Sequence, residues 1–242
     1  MSPAPTFVEP DRRRIFLMRH AEAAYVAADG TVTDDPRNVG LTDLGRIQAR
    51  KQAAVLASVT FDRAICSGLP RTVETARHIL ALRERPTLEV EPALEEIRGG
   101  DREHPVTDMA AWLAHVANPW AGADHPEATF LGGERFVDFA DRVIPAFAGI
   151  LADRGWRTLL LVLHGAVNRM IFNYVMNLEW QARMSIEQDN ACINIIDVDT
   201  GDGTPHFLIR GINLTGYDLN KSGMHLTNME QAARHMAERL GD

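Results

Sequence analysis

A chain of 242 residues has room for one sizeable core or at most two small ones. Its 45% hydrophobic and 24% charged residues exclude a disordered or fibrous chain. The formal net charge of −8, from 25 Lys and Arg against 33 Asp and Glu, argues against a broad nucleic-acid-binding face. If such a chain handles an anion, its positive charge must be gathered locally, so individual arginines matter.

The segment from Met1 to Arg14 carries Pro3, Pro5 and Pro10 and then a charged cluster, without the apolar centre of a signal peptide. It reads as an extension over 1–13 ahead of one domain over 14–242. Ile15–Met18 suits a buried strand, and a loop follows from about Ala21 to Gly40. Thr42 can cap a helix to Leu56, with Asp43 at its positive end and Leu44 and Ile47 on the apolar face. Arg63–Cys66 reads as a strand, Leu69–Leu82 as a helix, Leu88–Val90 as a weaker strand and Glu95–Pro105 as a loop. Thr107–Val116 is helical, Asn118–Gly133 a long loop, and Glu134–Leu151 a helix interrupted by Pro145. Leu159–Leu163 is a buried strand, followed by a helix over Ala166–Met176. Strands at Ala191–Val198 and Phe207–Ile212 flank a turn from Asp199 to Thr204. Thr227 caps a last amphipathic helix to about Leu240, expected to pack on the protein's own core. The alternation implies a single α/β domain, with a mostly parallel central sheet flanked by helices on both faces.

No apolar stretch is long enough for a membrane span, and the longest candidate, Thr158–Leu163, is strand-sized. Cys66 and Cys192 form no disulfide framework and favour a reducing compartment. The expected location is cytoplasmic, without membrane or nucleic-acid partners.

Three strand ends carry the chemistry. Arg19-His20 follows the first strand, Ser67 the second with Arg71 a turn further on, and His164-Gly165 the strand Leu159–Leu163. Ligands of open α/β sheets bind at the carboxyl ends of strands. Guanidinium forks match phosphate oxygens, and a histidine can serve as nucleophile, acid or charge stabiliser near neutrality. Alone, a strand-end histidine is usually structural and a single arginine a solvated charge; together they suit a tetrahedral dianion.

Several motifs resemble the histidine phosphatase (phosphoglycerate mutase-like) superfamily, in order over about residues 14–215. Leu17-Met-Arg-His-Ala-Glu22 resembles its Arg-His-Gly motif, and Leu41-Thr-Asp-Leu-Gly45 its Leu-Thr-x-x-Gly. Ser67 to Ala76 resembles Ser-x-x-x-Arg-x-x-x-Thr-Ala, and Leu94-Glu-Glu-Ile97 the acid-bearing Leu-x-Glu-Ile. Gly132 to Phe136 and Leu163 to Val167 resemble its Gly-Glu and second-histidine segments. The resemblance implies that His20 attacks phosphorus and becomes a phosphohistidine. Arg19, Arg71 and His164 would surround the equatorial oxygens, and Glu96 would be the proton donor and acceptor. Glu95 is the adjacent candidate, but the register of Leu94 and Ile97 favours Glu96. No metal or other cofactor is implied. His20 should be neutral, its second nitrogen donating to a fixed acceptor such as a backbone carbonyl.

The chain departs from the family at Ala21, where Gly is usual, in lacking an Asn soon after it, and in the loop Ala23–Gly40. The expected partner is a small phosphorylated substrate, ahead of a phosphoprotein; a homodimer rests on resemblance alone. A phosphoglycerate mutase is the nearest alternative, but Leu94–Gly100 looks like the phosphatase branch. A non-catalytic phospholigand-binding module is the other; the complete set Arg19, His20, Arg71, Glu96 and His164 argues against it. Cys66 and Arg71 are one residue too close for a thiol-phosphatase loop. Asp197-Val-Asp199 reads as the start of a turn rather than an aspartyl nucleophile. His104, His115, His125, His206, His225 and His235 lack zinc-like spacing.

Overall fold

In the computed structural model, which describes residues 11–26, 33–81, 84, 86–100, 108–177, 185–201, 203–223 and 225–240, helices alternate with the first four strands. The order is β1 (Arg12–Arg19), α1 (Asp43–Val55), β2 (Arg63–Cys66), α2 (Pro70–Leu80), β3 (Leu88–Val90), a 3-10 turn (Pro92–Leu94), α3 (Met109–Ala117) and α4 (Phe136–Ala152). β4 (Thr158–Leu163), α5 (Gly165–Met176), β5 (Ile193–Asp199), β6 (His206–Leu214) and α6 (Asn228–Leu240) follow. Residues 1–10, 27–32 of the expected first loop, 101–105 of the loop expected over Glu95–Pro105, and Thr107, where the expected helix starts, lie outside the described residues.

The sheet has six strands in the order β3-β2-β4-β1-β5-β6. β1 to β4 are mutually parallel, whereas β5 runs antiparallel to β1, and β6 to β5. The short connection between β5 and β6 accounts for this hairpin, since a parallel pair needs a long crossover. It is the expected turn: the Gly201 N–H donates to Asp199 Oδ1 at 2.9 Å. Strand alternation builds a core on each face. Ile15, Leu17, Leu159, Leu161 and Leu163 join Phe139, Val143 and Phe147 of α4 and Met170 and Phe172 of α5. Phe16, Met18, Leu160 and Val162 point the other way, onto Leu56, Phe61, Ala76 and Ile79.

β1 begins three residues before its apolar run, pairing Arg12 and Arg13 with Asp199 and Val198 of β5, and Arg13 is buried against the end of α4. Its guanidinium donates to Leu151 O at 2.7 Å and Asp153 O at 2.5 Å, and lies 4.2 Å from the centroid of the Trp156 ring. α4 starts at Phe136 rather than Glu134, because the Glu134 N–H donates to Arg98 O and its carbonyl accepts from Phe130 N–H. It continues through Pro145. α6 has a reciprocal cap: the Glu230 N–H donates to Thr227 Oγ1, and the Thr227 N–H to Glu230 Oε2. This helix lies against α3, and its Ala233 is buried.

The apolar face expected on α1 is corrected. Leu44 and Ile47 are 51% and 43% exposed, while Gly45, Gln48, Ala49 and Gln52 face inward. Buried backbone groups need partners more than this surface needs oil. Gln52 Nε2 donates to Ala191 O at 2.8 Å and Leu214 O at 3.0 Å, its Oε1 accepts from Gly216 N–H, and Gln48 Oε1 accepts from Glu22 N–H. Among the described residues no helix is long and apolar enough to cross a membrane. Both cysteines are free and buried.

Two helical glycines give opposite expectations. A Cβ at Gly45 would sit 2.1 Å from Glu22 O, whereas one at Gly149 of α4 meets nothing within 4 Å. Gly45→Ala should destabilise by about 1–3 kcal/mol by overpacking. Gly149→Ala should stabilise by about 0.5–1 kcal/mol. Urea midpoints of the two variants check this; equal shifts would contradict the packing described.

Candidate active site

The carboxyl ends of β1, β2 and β4 bring four of the five expected residues into one buried cluster. Arg19 ends β1 and His20 follows it; Arg71 sits in the first turn of α2; His164 stands between β4 and α5. His20, Arg71 and His164 are 2%, 3% and 0% exposed. The two imidazole rings lie 5.2 Å apart, nearly edge to face. Both α2 and α5 start here, so their positive ends face this region.

His20 is fixed from three sides. Its N–H donates to Leu163 O at 2.9 Å, and its carbonyl accepts from Ala191 N–H at 3.0 Å. Its Nδ1 lies 2.7 Å from Ala21 O. A carbonyl can only accept, so Nδ1 carries the proton and Nε2 keeps a free lone pair. The fixed carbonyl acceptor expected for this ring is therefore Ala21 O. The Ala21 N–H donates to Thr75 Oγ1, which donates to Arg71 O, tying the end of β1 to α2.

The cations are held by carbonyls. Arg19 Nη1 donates to Gln188 O at 2.6 Å, and Arg71 Nη1 to Pro36 O and Arg37 O. Among the described residues, four buried side-chain polar atoms have no hydrogen-bond partner. Three belong to this cluster: Arg19 Nε, Arg71 Nε and His164 Nδ1. Unpaired buried nitrogens are costly, and the two guanidinium N–H groups among them are what an oxyanion site requires. Burial, reinforced by Arg71 and then Arg19, holds His20 well below the ordinary histidine value. Burial does the same to His164, followed by its coupling to His20 and the positive fields of Arg71, Arg19 and Arg142. Both rings are thus neutral near pH 7.

Glu96 joins the cluster from the loop after the 3-10 turn. Its Oε2 accepts from Ala166 N–H, at the start of α5 beside His164, at 3.2 Å, and its Oε1 from Ile97 N–H at 3.1 Å. Glu95 instead pairs with Arg37. The two adjacent carboxylates thus have different surroundings, and Glu96, which the register of Leu94 and Ile97 favours, is the one beside His164.

Several neighbours escaped sequence reading. Arg142 of α4 donates to the carbonyls of Ala93, Glu95 and Glu96, and forms a fork with Glu134. Glu134 Oε2 also accepts from Arg98 N–H, so this pair shapes the loop bearing Glu96. Gly100 and Gly133 let that loop meet the segment before α4 backbone to backbone; a Cβ at Gly133 would lie 2.3 Å from Arg98 O. The Tyr25 ring lies 5.6 Å from the Arg71 guanidinium. Gln188 and Asn194 exchange amide hydrogen bonds that anchor the carbonyl receiving Arg19. The Gly-Glu motif was the available signal for Glu134; nothing local marked Arg142, Tyr25 or Gln188.

Neither cysteine competes as a nucleophile. Burial pushes the Cys66 thiol up and the Cys192 thiol up to about 12. Asp197 is a structural anion in β5, bonded by Arg14 and Arg210. Among the described residues no group of three His, Cys, Asp or Glu could hold a metal ion.

The sequence pattern of the histidine phosphatase superfamily (branch 1) matches residues 15–209. The chain belongs to that superfamily. It is similar to the adenosylcobalamin/alpha-ribazole phosphatase of Escherichia coli K12, 29% identical over 189 residues, covering 77% of this chain and 90% of that protein. The glucosyl-3-phosphoglycerate phosphatase of Mycolicibacterium vanbaalenii is 32% identical over 167 residues, covering 64% and 70%. The crystal structure of the alpha-ribazole phosphatase from Shigella flexneri superposes with a TM-score of 0.66 at 26% identity, covering 83% of this chain and 96% of that one. As a superfamily member with phosphatases as relatives, the chain is an enzyme that hydrolyses phosphate monoesters.

Two outcomes are expected. Depressed folded-state values for His20 and His164 mean that the unfolded chain binds more protons below the ordinary value of 6.5. Their contribution to stability is present above that pH and is lost as pH falls below it. Without phosphate, urea midpoints should fall from pH 7 to pH 5, less steeply in His20→Gln; equal slopes would contradict the assigned burial. Arg142→Lys should lower kcat by up to about 10²-fold through a displaced Glu96, with little change in KM. Steady-state kinetics read that split, and an unchanged kcat would remove Arg142 from this role.

Proposed function

We propose that the protein hydrolyses a small phosphorylated metabolite through a phosphohistidine on His20. The observation that carries this reading is the pairing of a proton-free Nε2 on His20 with three unpartnered buried nitrogens from Arg19, Arg71 and His164. A nucleophilic lone pair, two unused guanidinium N–H groups and a free imidazole nitrogen in one pocket suit in-line attack on a tetrahedral phosphoryl group.

His20 Nε2 attacks phosphorus as the ester oxygen departs. Arg19 and Arg71 supply positive charge to the equatorial oxygens, the electrostatic role a metal ion fills elsewhere, and His164 contacts the same group through Nδ1. Glu96 protonates the leaving oxygen, then takes a proton from the water that cleaves the phosphohistidine. Its hydrogen bond with the first turn of α5 and the Arg142 clasp on its loop support that assignment. The named relatives act on small phosphorylated molecules, which supports a metabolite over a phosphoprotein. Two free buried cysteines are consistent with a reducing, cytoplasmic setting.

Phosphate release from p-nitrophenyl phosphate in excess chelator tests the reading. Wild type should turn over; His20→Ala should not. Arg71→Ala should lose about 10²–10³-fold, and Glu96→Gln about 10²–10⁴-fold on substrates with poor leaving groups. Turnover that persists in His20→Ala would refute the assignment.

A further inference from the structure

The hydroxyl chain behind His164 determines which of its nitrogens carries a proton. Thr72 Oγ1 lies 2.8 Å from Leu69 O, Ser67 Oγ lies 3.0 Å from Thr72 Oγ1, and His164 Nε2 lies 2.8 Å from Ser67 Oγ. These three contacts need three hydrogens, and two hydroxyls supply two. Leu69 O can only accept, so Thr72 donates to it. Thr72 then accepts from Ser67, whose oxygen is left to accept from His164. The third hydrogen is therefore on His164 Nε2. Ser67, Thr72 and His164 are 1%, 0% and 0% exposed, so water cannot readily re-sort the chain.

It follows that the neutral His164 ring has a lone pair at Nδ1, the atom that is buried without a partner. A lone pair repels an oxyanion. Two arrangements remove the repulsion. A monoanionic phosphoryl group can donate its P–O–H to Nδ1. Alternatively, one solvent proton can bind Nδ1 as the dianion enters, giving an N–H that donates to oxygen. Either way, one proton enters with the anion. We propose that Ser67 and Thr72 fix His164 as the Nε2–H tautomer, so that the site takes up a phosphoryl group together with one proton. This rests on the phosphohydrolase reading above.

The groups around His164 fit this account. Arg19 and His20 at the end of β1, Arg71 on α2 and Arg142 on α4 place positive charge or a neutral ring around it. Glu96 is the carboxylate nearby, bonded to Ala166 N–H at the start of α5. With the site empty, burial and these cations keep the ring neutral. An arriving anion reverses the local field and draws the proton. Ser67 and Thr72 are positioning residues: they act through His164.

Nitrogen-15 spectra of histidine-labelled protein test the proposal, using sulfate and inorganic phosphate at pH 8. Sulfate carries no proton there, whereas hydrogen phosphate carries one. The signals are assigned by their loss in His164→Gln or in His20→Gln, so one folded variant suffices. In the free protein His164 should be protonated at Nε2 alone, and His20 at Nδ1 alone. Sulfate should bind with Nδ1 of His164 protonated, its Kd rising about tenfold per pH unit above neutrality. Hydrogen phosphate should bind with Nδ1 still unprotonated and a flatter pH dependence. Ser67→Ala should mix the His164 tautomers and leave those of His20 unchanged. Nδ1–H on His164 in the free protein, identical responses to both anions, or an unchanged His164 signal in Ser67→Ala would each overturn the proposal. Binding of neither anion would instead overturn the phosphoryl site itself, and this inference with it.

Discussion

The site depends on burying cationic side chains with too few partners. Arg71 is almost wholly inside the protein, and among the described residues no carboxylate pairs with it. Its partners are the carbonyls of Pro36 and Arg37, and its Nε remains unbonded. A free-standing arrangement of this kind costs stability, because a buried charge needs compensation. The protein tolerates it where strand ends, two helix starts and a network of buried amides fix each group independently. In the proposed mechanism an incoming phosphoryl group supplies the missing negative charge, and that difference between empty and occupied site is binding energy available for catalysis.

The same field sets the chemistry of the histidines. Burial, reinforced by Arg71 and Arg19, keeps His20 neutral, so its Nε2 lone pair is available without a general base in the proposed mechanism. The backbone carbonyl of Ala21 decides which nitrogen that is, and in the proposal above a chain of two hydroxyls decides the matter oppositely for His164. Two histidines 5.2 Å apart thereby have different hydrogen-bond partners on their far sides. The Ala at position 21, where the superfamily usually has Gly, preserves the first device, because the carbonyl is a backbone atom.

The strand ends were readable because burial on both faces forces short apolar runs, and because chemistry follows such runs in parallel sheets. Arg19, His20, Ser67, Arg71 and His164 were therefore legible by position as well as by motif. What failed was reading by residue type. Gln48 and Gln52 look like solvent-facing helix residues, yet they turn inward to satisfy carbonyls and N–H groups of distant segments, leaving Leu44 and Ile47 outside. Arg142 was illegible for a similar reason: its partners are carbonyls of Ala93, Glu95 and Glu96, far away in sequence and unmarked by side chain. Tertiary hydrogen bonding to backbone leaves no periodic trace.

The central claim is that His20 Nε2 carries the phosphoryl group between substrate and water. Its most direct test is rapid alkaline quenching of wild-type enzyme during turnover, followed by peptide mass spectrometry under conditions that preserve phosphohistidine. A phosphoryl adduct on His20, bonded at Nε2, is expected to form and decay at rates compatible with turnover. A steady state in which His20 stays unmodified while another residue carries the phosphoryl group would contradict it.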